Sequence, residues 1–469
     1  MRVTKAHRRR AARFAQGCSA RRLGSAVAAA VLRVLRLPID AVVYAIRYAV
    51  GKWRAMSASQ SMSAAASALP LEPSLVAVLA SSWRKLEQQA GLPSPTEASL
   101  NAADRALLDY IRGETARHNR NNVTRTMAYL AIYERRPELH WALLAHMVSR
   151  NGGWNMTDLQ GEWLPRLLSE RKRNDIFLFL ERANALIFGD AYPQLLLYEH
   201  SVRNRRPLFH LLPMLRVSCF MQPVWEQFWA TRNSTVLTVA LIVNEQNYIE
   251  HRLVQHPYYR KHVIGTLFFG VQSLLQLNAI LLPYDHGQKP QELRLAGIIL
   301  ERFSSIHERI EVGKRLYALL FAVPRIGNGA AAFARSVRHT GSRADFAPHL
   351  FERLRERPAQ VPYKERLLGG QLKPGAERPY SPALADAWPD QVVEPAEPGD
   401  WFTTTADVVP YFERLPLPNT FEMTNEYGFL LDKLELAAAA SFRPQEEVEA
   451  EFSEPEQPGM PDHEIDRTP

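Results

Sequence analysis

The sequence predicts an all-α protein, an irregular multi-helix bundle closed by a Pro/aromatic-rich extended C-terminal strap. Three observations predict it. From Leu71 to about Leu350, apolar residues recur near every 3.6 positions in segment after segment, the period of a helix with one buried face. Residues that start and stop helices punctuate those segments. Past Ser342 the composition turns to proline interleaved with Tyr and Trp, which excludes a regular helix yet holds more aromatics than a disordered tail. The 469 residues divide on this basis into an arm and Ser/Ala linker (1–70), a helical core (71–350), the strap with a closing helix (351–443) and an acidic tail (444–469).

The net charge of +8 is unevenly placed. Residues 1–54 hold thirteen Arg and Lys against Asp40 alone, so the remaining chain is slightly acidic. Only the arm has the field to seek phosphates. Its apolar part, Val27 to Val50, is broken by Arg33, Arg36, Asp40 and Arg47, too many charges for a spanning helix of about twenty apolar residues. Those charges fall on one helical stripe with Val31, Val34, Val42, Ile46 and Ala49 opposite, a cationic amphipathic segment kinked near Pro38. Such a segment fits an anionic membrane surface or, less well, nucleic acid; it fits equally an arm whose apolar face docks on its own body. Ser57 to Ala68 reads as a flexible linker.

Helices are expected over Leu71–Gly91, Asn101–His118 and Thr124–Tyr133. The next stretch is the most unusual. Pro137 suits a first helical position, Trp141, Leu144, Ala145 and Val148 form a core stripe, and Asn151 and Gly152 end the helix. Thr157 to Gln160 matches a capping box that starts another. The corner gathers His146, Arg150, Asn151, Trp154 and Asn155, a composition more like a pocket than a solvated link. Ile176–Phe188 is apolar nearly all round, with Gly189 as its stop, Asp190 as the next cap and Pro193 in that helix's first turn. Tyr192–Asn204 follows, then an aromatic segment from Pro223 and a buried core helix from Ser234 ending in Asn244-Glu245-Gln246. Further helices are expected over Val263–Leu282, Gln291–Ser304 and His307–Phe321, with a last one from Asn425 to Ala440. The tail from Pro444, nine acidic residues against Arg467, reads as solvated and disordered.

Glu181, Glu199 and Glu245 sit on strongly apolar helices, where an isolated carboxylate is costly and is normally paired, protonated or metal-bound. The bland expectation ties each to an arginine, Glu245 to Arg252 at i+7 and Glu181 to the neighbourhood of Arg182 and Asn184. The sharper one has Glu181 or Glu245 converge with His146 as a general acid and base, with His140, Arg150, Asn151, Trp154, Asn155, Glu199 and Asn244 as binding residues. A metal is not implied: His140 and His146 stand roughly 120° and about 9 Å apart on a helix. No cofactor is specified. Neither a P-loop, a dinucleotide fingerprint, a Cys-x-x-Cys nor a nucleophile elbow is present. Cys18 and Cys219 make no disulfide framework, which fits a reducing compartment. Asn122, Asn155 and Asn233 form sequons; helix capping accounts for Asn122 and Asn233.

Asn122-Val-Thr-Arg-Thr, the run from His140 to Leu159, Leu180-Glu-Arg-Ala-Asn184, Asp190-Ala-Tyr-Pro-Gln194 and Val243-Asn-Glu-Gln246 resemble the bacterial domain-of-unknown-function family 2515, from endospore-forming Gram-positive bacteria. The resemblance extends from near Asn119 to about Leu436. It implies a bacterial intracellular protein and supplies no catalytic residue to carry over. The leading expectation is a binding or scaffolding protein, cytoplasmic and held at the inner membrane face by residues 1–54, with an unidentified protein or small molecule as partner of the corner. The alternatives are a hydrolase-like enzyme with a Glu/His pocket at Gly152-Gly153, and a nucleic-acid binder acting through the arm.

Overall fold

The computed structural model describes residues 42–88, 97–265, 278–285, 294–355 and 363–441. The kink at Pro38, the first part of the arm and the acidic tail lie outside the described residues. Most of the described chain is helical: α1 (42–63), α2 (Pro73–Gln88), α3 (Ala102–His118), α4 (Asn122–Arg135), α5 (His140–Asp158), α6 (Leu164–Leu167), α7 (Glu170–Arg203), α8 (Met221–Thr231), α9 (Ser234–Ile249), α10 (Ile306–Ala322), α11 (Pro324–Ser336) and α12 (Thr424–Ala440). An antiparallel hairpin, β1 (Ala279–Pro283) with β2 (Leu295–Ile299), and a two-residue ladder, β3 (Leu367–Leu368) with β4 (Gln371–Leu372), complete it.

Central in the body is α5, which packs against α4, α7, α9, α10, α11 and β1. Contrary to expectation, it does not stop at Gly152; it runs on to Asp158, and no second helix starts at Thr157. The glycines serve close approach instead. A Cβ on Gly153 would stand 2.4 Å from Asn122 Oδ1 and 2.8 Å from His339 Nε2. Those two atoms, 2.9 Å apart, hydrogen-bond across the glycine. Asn122 Nδ2 donates on to the Ser149 carbonyl at 2.9 Å, which fixes its amide and makes His339 Nε2 the donor. Thus Asn122 is a buried link between helices, while the cap of α4 is Asn121, reciprocated by Thr124. Asn233 does cap α9, accepting from the Val236 N–H at 2.9 Å.

The expected break at Gly189 is likewise absent, and α7 continues for 34 residues with Pro193 inside it. A proline ring crowds the carbonyl four residues back, and here that residue is Gly189, the one most able to adjust. Helices were also expected over Val263–Leu282, of which 266–277 lie outside the described residues, and over Gln291–Ser304, whose first three residues do; the described parts hold the β1–β2 hairpin. A five-residue apolar run carries too few periods to separate strand from buried helix. Both hairpin edges are covered: Asn151 of α5 offers Oδ1 to the Leu281 N–H and Nδ2 to its carbonyl, each at 2.8 Å. On the other side Gly297 donates to Phe421 and Met423 donates to Leu295.

The strap is riveted by aromatic groups. Trp388 stacks on Phe177 at 4.2 Å and donates to the Met156 carbonyl, and Trp401 donates to Asn244 at 2.9 Å. The β3–β4 turn needs Gly369 and Gly370 at φ +62 and +70, and both their N–H groups bond Asp432 of α12. In place of a flexible linker at Ser57–Ala68, α1 continues to residue 63, because Gly51, Ala55, Ser59 and Met62 form a buried face on the body. Ser59 Oγ accepts the N–H groups of Phe421 and Glu422, each at 3.0 Å.

Gly153→Ala is expected to cost about 1–3 kcal/mol, because the new methyl must part Asn122 from His339. Gly113→Ala, in α3 with no atom within 4 Å of the new Cβ, should instead stabilise by about 0.5–1 kcal/mol by removing unfolded-chain entropy. Urea denaturation of the two variants beside the parent measures both.

Candidate functional site

One face of α5 borders a cleft. Trp141, Leu144, Ala145 and Val148, the expected core stripe, line this cleft of about 240 Å³ together with Asn151, Gly152 and Asn155. The opposite walls come from α7 through Phe179 and Asn184, from α9 through Glu245 and Gln246, from the hairpin, from Phe303 just before α10 and from Arg309 in its first turn. The walls are largely apolar and aromatic, the composition usual for a small-molecule site.

Glu245 is the acidic group of the cleft, and this environment perturbs it strongly. It is half-buried and faces the cleft. Among the described residues its hydrogen-bond partners are both donors: Trp141 Nε1 at 3.1 Å on one oxygen and Gln246 Nε2 at 3.2 Å on the other. The Gln246 amide is oriented by Arg309, whose Nε donates to its Oε1 at 2.9 Å. Arg309 is in turn paired with Glu250 and donates to the Phe303 carbonyl at 2.6 Å. The guanidinium charge is therefore spent on Glu250. Burial, with no cation among the described residues bound directly to it, pushes the Glu245 carboxyl up to about 8.

The other acidic candidates are arranged differently. Glu181 is paired with buried Arg125 from α4, with Arg125 also donating to Asn119 at 3.2 Å. Arg182, its neighbour in sequence, pairs with Glu394 of the strap. Glu199 receives two bonds from Arg135, at 2.7 and 3.1 Å, and those donors hold its carboxyl below the usual range despite burial. The anticipated Glu245–Arg252 pair is absent. The backbone widens to a π-helical turn over Glu250–Val254, which takes Arg252 off the Glu245 face, and its guanidinium caps the carbonyls of Tyr248, Glu397 and Gly399.

His146 is not brought to Glu245. Fully buried, its Nδ1 lies 2.7 Å from the Thr126 carbonyl, and Arg150 Nε donates to its Nε2 at 2.9 Å. A carbonyl only accepts and a guanidinium only donates, so the ring is neutral, Nδ1–H, with its lone pair occupied. Burial and the adjacent Arg150 hold its pKa well below 6.5. Arg150 otherwise bonds the Ala334 and Val337 carbonyls and lies over the Phe333 ring, and Trp154 is buried against Phe346 at 4.4 Å. His140 stacks on Phe321 at 3.9 Å and meets the Tyr317 hydroxyl at 3.0 Å, its pKa lowered to about 4 by burial. Of the candidate residues, then, Glu245, Asn151 and Asn155 line the cleft. Asn151 is spent on β1, and Asn155 accepts from Arg343 at 3.2 Å.

Asn244, beside Glu245, belongs to a separate buried chain. It donates to Asp190 Oδ2, which also receives Gln194 Nε2 at 3.0 Å, and Trp225 Nε1 donates to Gln194 at 2.8 Å. Asp190 Oδ1 has no partner among the described residues, and burial raises this carboxyl to about 7. Among the described residues no group of three His, Cys, Asp or Glu converges to hold a metal ion, and no single helix is long and apolar enough to cross a membrane. Arg309 and Asn278 of the cleft went unnoticed in the sequence. A charged residue early in an amphipathic helix such as α10 gives no signal that it turns inward.

An all-helical body around one central helix, with a covered hairpin, a riveted strap and a cleft holding an unsalted carboxyl, defines the class. The chain belongs to the family described as "Protein of unknown function (DUF2515)", whose family model matches residues 117–429. It is similar to the uncharacterised protein YppC of Bacillus subtilis (strain 168), 39% identical over 326 residues that span 69% of this chain and 92% of that one. No solved structure matches it. Every cleft residue lies inside the family match, whereas α1 and α2 precede it.

Glu245 leaves a signature in the pH dependence of stability. Its folded pKa of about 8 lies above the ordinary 4.5 of the unfolded chain, so between those values unfolding releases a proton and stability falls as pH rises. Glu245→Gln removes that loss. Relative to the parent, the variant should gain up to about 1.4 kcal/mol per pH unit between pH 5 and 8, less where water in the cleft screens the charge. Chemical denaturation at both pH values tests it, and parallel curves would refute the assignment.

Proposed function

We propose that this protein is a peripheral membrane protein whose helical body binds a partner molecule in the Glu245 cleft, with α1 lying against an anionic bilayer. The observation that carries the membrane half is the two-faced geometry of α1. Its inner face, Gly51, Ala55, Ser59 and Met62, is buried on the body. At 100° per residue, Met56, Val42, Trp53, Ile46, Val50 and Val43 fall within an outer arc of roughly 140°, and all six are exposed, Trp53 at 69% and Ile46 at 58%. Arg47 and Arg54 border that arc on one side and Lys52 on the other, all three exposed. Leu368, 61% exposed at the β3–β4 tip, lines a groove with Ile46 and Val50 and extends the apolar surface.

An apolar stripe between rows of cations suits the boundary between lipid headgroups and acyl chains. Docking of the arm on its own body accounts for the inner face alone. Nucleic acid would use the cations and leave the stripe bare, so a lipid surface is the better match. The cleft half rests on the apolar walls and the carboxyl facing into them; with His146 committed elsewhere, binding suits this site better than hydrolysis.

The protein should co-sediment with vesicles of phosphatidylcholine and phosphatidylglycerol and not with phosphatidylcholine alone. The double substitution Ile46→Glu with Trp53→Glu should weaken that binding at least tenfold without moving the melting temperature, since both side chains point to solvent. Undiminished binding by the double variant would refute the membrane assignment.

A further inference from the structure

We infer that the cleft takes an organic ammonium ion with an apolar body, its cationic nitrogen at Glu245 and its body against the aromatic walls. The inference deepens the cleft half of the proposed function and rests on it; it is independent of membrane association.

The hydrogen-bond shell of Glu245 favours the ionised form. Trp141 Nε1–H and the Gln246 amide, held in place by Arg309, only donate to it. A protonated carboxyl would keep both and gain an O–H with no acceptor among these partners. Yet among the described residues the charged form has no counter-ion, because Arg309 is neutralised by Glu250. A ligand cation satisfies both conditions: it restores neutrality and leaves both donated bonds intact. The walls add to the selectivity. Trp141, Tyr129, Phe179 and Phe303 all line the cleft, and aromatic faces attract an ammonium through the ring quadrupole, most strongly away from water. An anion meets the reverse, a carboxylate without a free arginine.

A pH profile follows. Among the described residues, the charged and titratable groups set around this end of α9 are Tyr129 of α4, Asp190 of α7 and the Arg309–Glu250 pair. Tyr129 stays neutral, its pKa raised well above 10 by burial, and Arg309 stays paired. Asp190 titrates near 7 and, once ionised, raises Glu245 further, so the direction of the profile is unchanged. The empty site is mostly protonated below pH 8, and an ammonium must displace that proton. Apparent affinity for an amine that remains charged should therefore rise from pH 6 to pH 8, by up to ~50-fold as the ionised fraction grows.

The test is calorimetric titration of the full chain with three probes of one shape: 2-phenylethylamine, neutral 2-phenylethanol and anionic phenylacetate. The amine is expected to bind at least tenfold more tightly than the alcohol, with proton release seen as a buffer-dependent enthalpy, and phenylacetate weakest. Glu245→Gln should abolish the preference for the amine over the alcohol. Should that variant fold poorly, the pH profile and proton release of the parent protein carry the same information. Equal binding of amine and alcohol would overturn the ammonium assignment while leaving the cleft a ligand site; binding of none of the probes would overturn both.

Discussion

The packing of the body depends on one close approach, where Asn122 and His339 meet across Gly153. Their side chains are bonded over a position that has no Cβ, so α4 and the segment after α11 reach α5 at the same point. From there the contacts propagate. Asn122 reaches Ser149 and so sets the register of α4 on α5, and Asn151, two residues before the glycine, clamps β1 by both its backbone groups. All three bonds are buried, and a buried polar group left without its partner costs about 1–3 kcal/mol. The observed arrangement avoids that cost, which is how a few amides favour one packing over apolar alternatives that would leave them unpaired.

The same economy governs the buried charges. Glu181 and Glu199 are paired with arginines, and Arg150 is spent on His146 and two carbonyls. These pairs satisfy the interior. Glu245 departs from the pattern, because the arginine nearest to it along the hydrogen-bond chain is held by a different glutamate. A carboxyl kept from its cation next to an open, aromatic-walled volume costs stability. Such a cost is tolerated in functional sites, and it is the physical basis for placing ligand chemistry here.

Much of the fold was legible. The 3.6-residue period located most helices, and the proline and aromatic content of the strap anticipated an extended segment pinned by rings. The apolar helix ending in Asn244-Glu245-Gln246 marked Glu245, the carboxyl that faces the cleft. Its partners were not legible: Trp141 and Arg309 lie 104 and 63 residues from the groups they bond, and local spacing carries no information about them. The glycines misled for a related reason. Gly152, Gly153 and Gly189 carry the same local signal whether they end a helix or admit a neighbour to its surface, and the neighbour is a tertiary fact. The hairpin was missed because its strands are short, apolar and covered on both edges.

By itself the sequence determined the helical class, the separation of a basic arm from a slightly acidic body, the strap, and the presence of carboxylates that needed an explanation. Those follow from composition and periodicity, which are local quantities. The tertiary structure decided that α5 and α7 run unbroken, that His146 is a neutral structural ring, and that Glu245, alone of the three glutamates, faces a cleft with no cation of its own among the described residues. These were decided by which distant groups arrive first at each buried donor and acceptor, a competition whose outcome depends on the packed geometry.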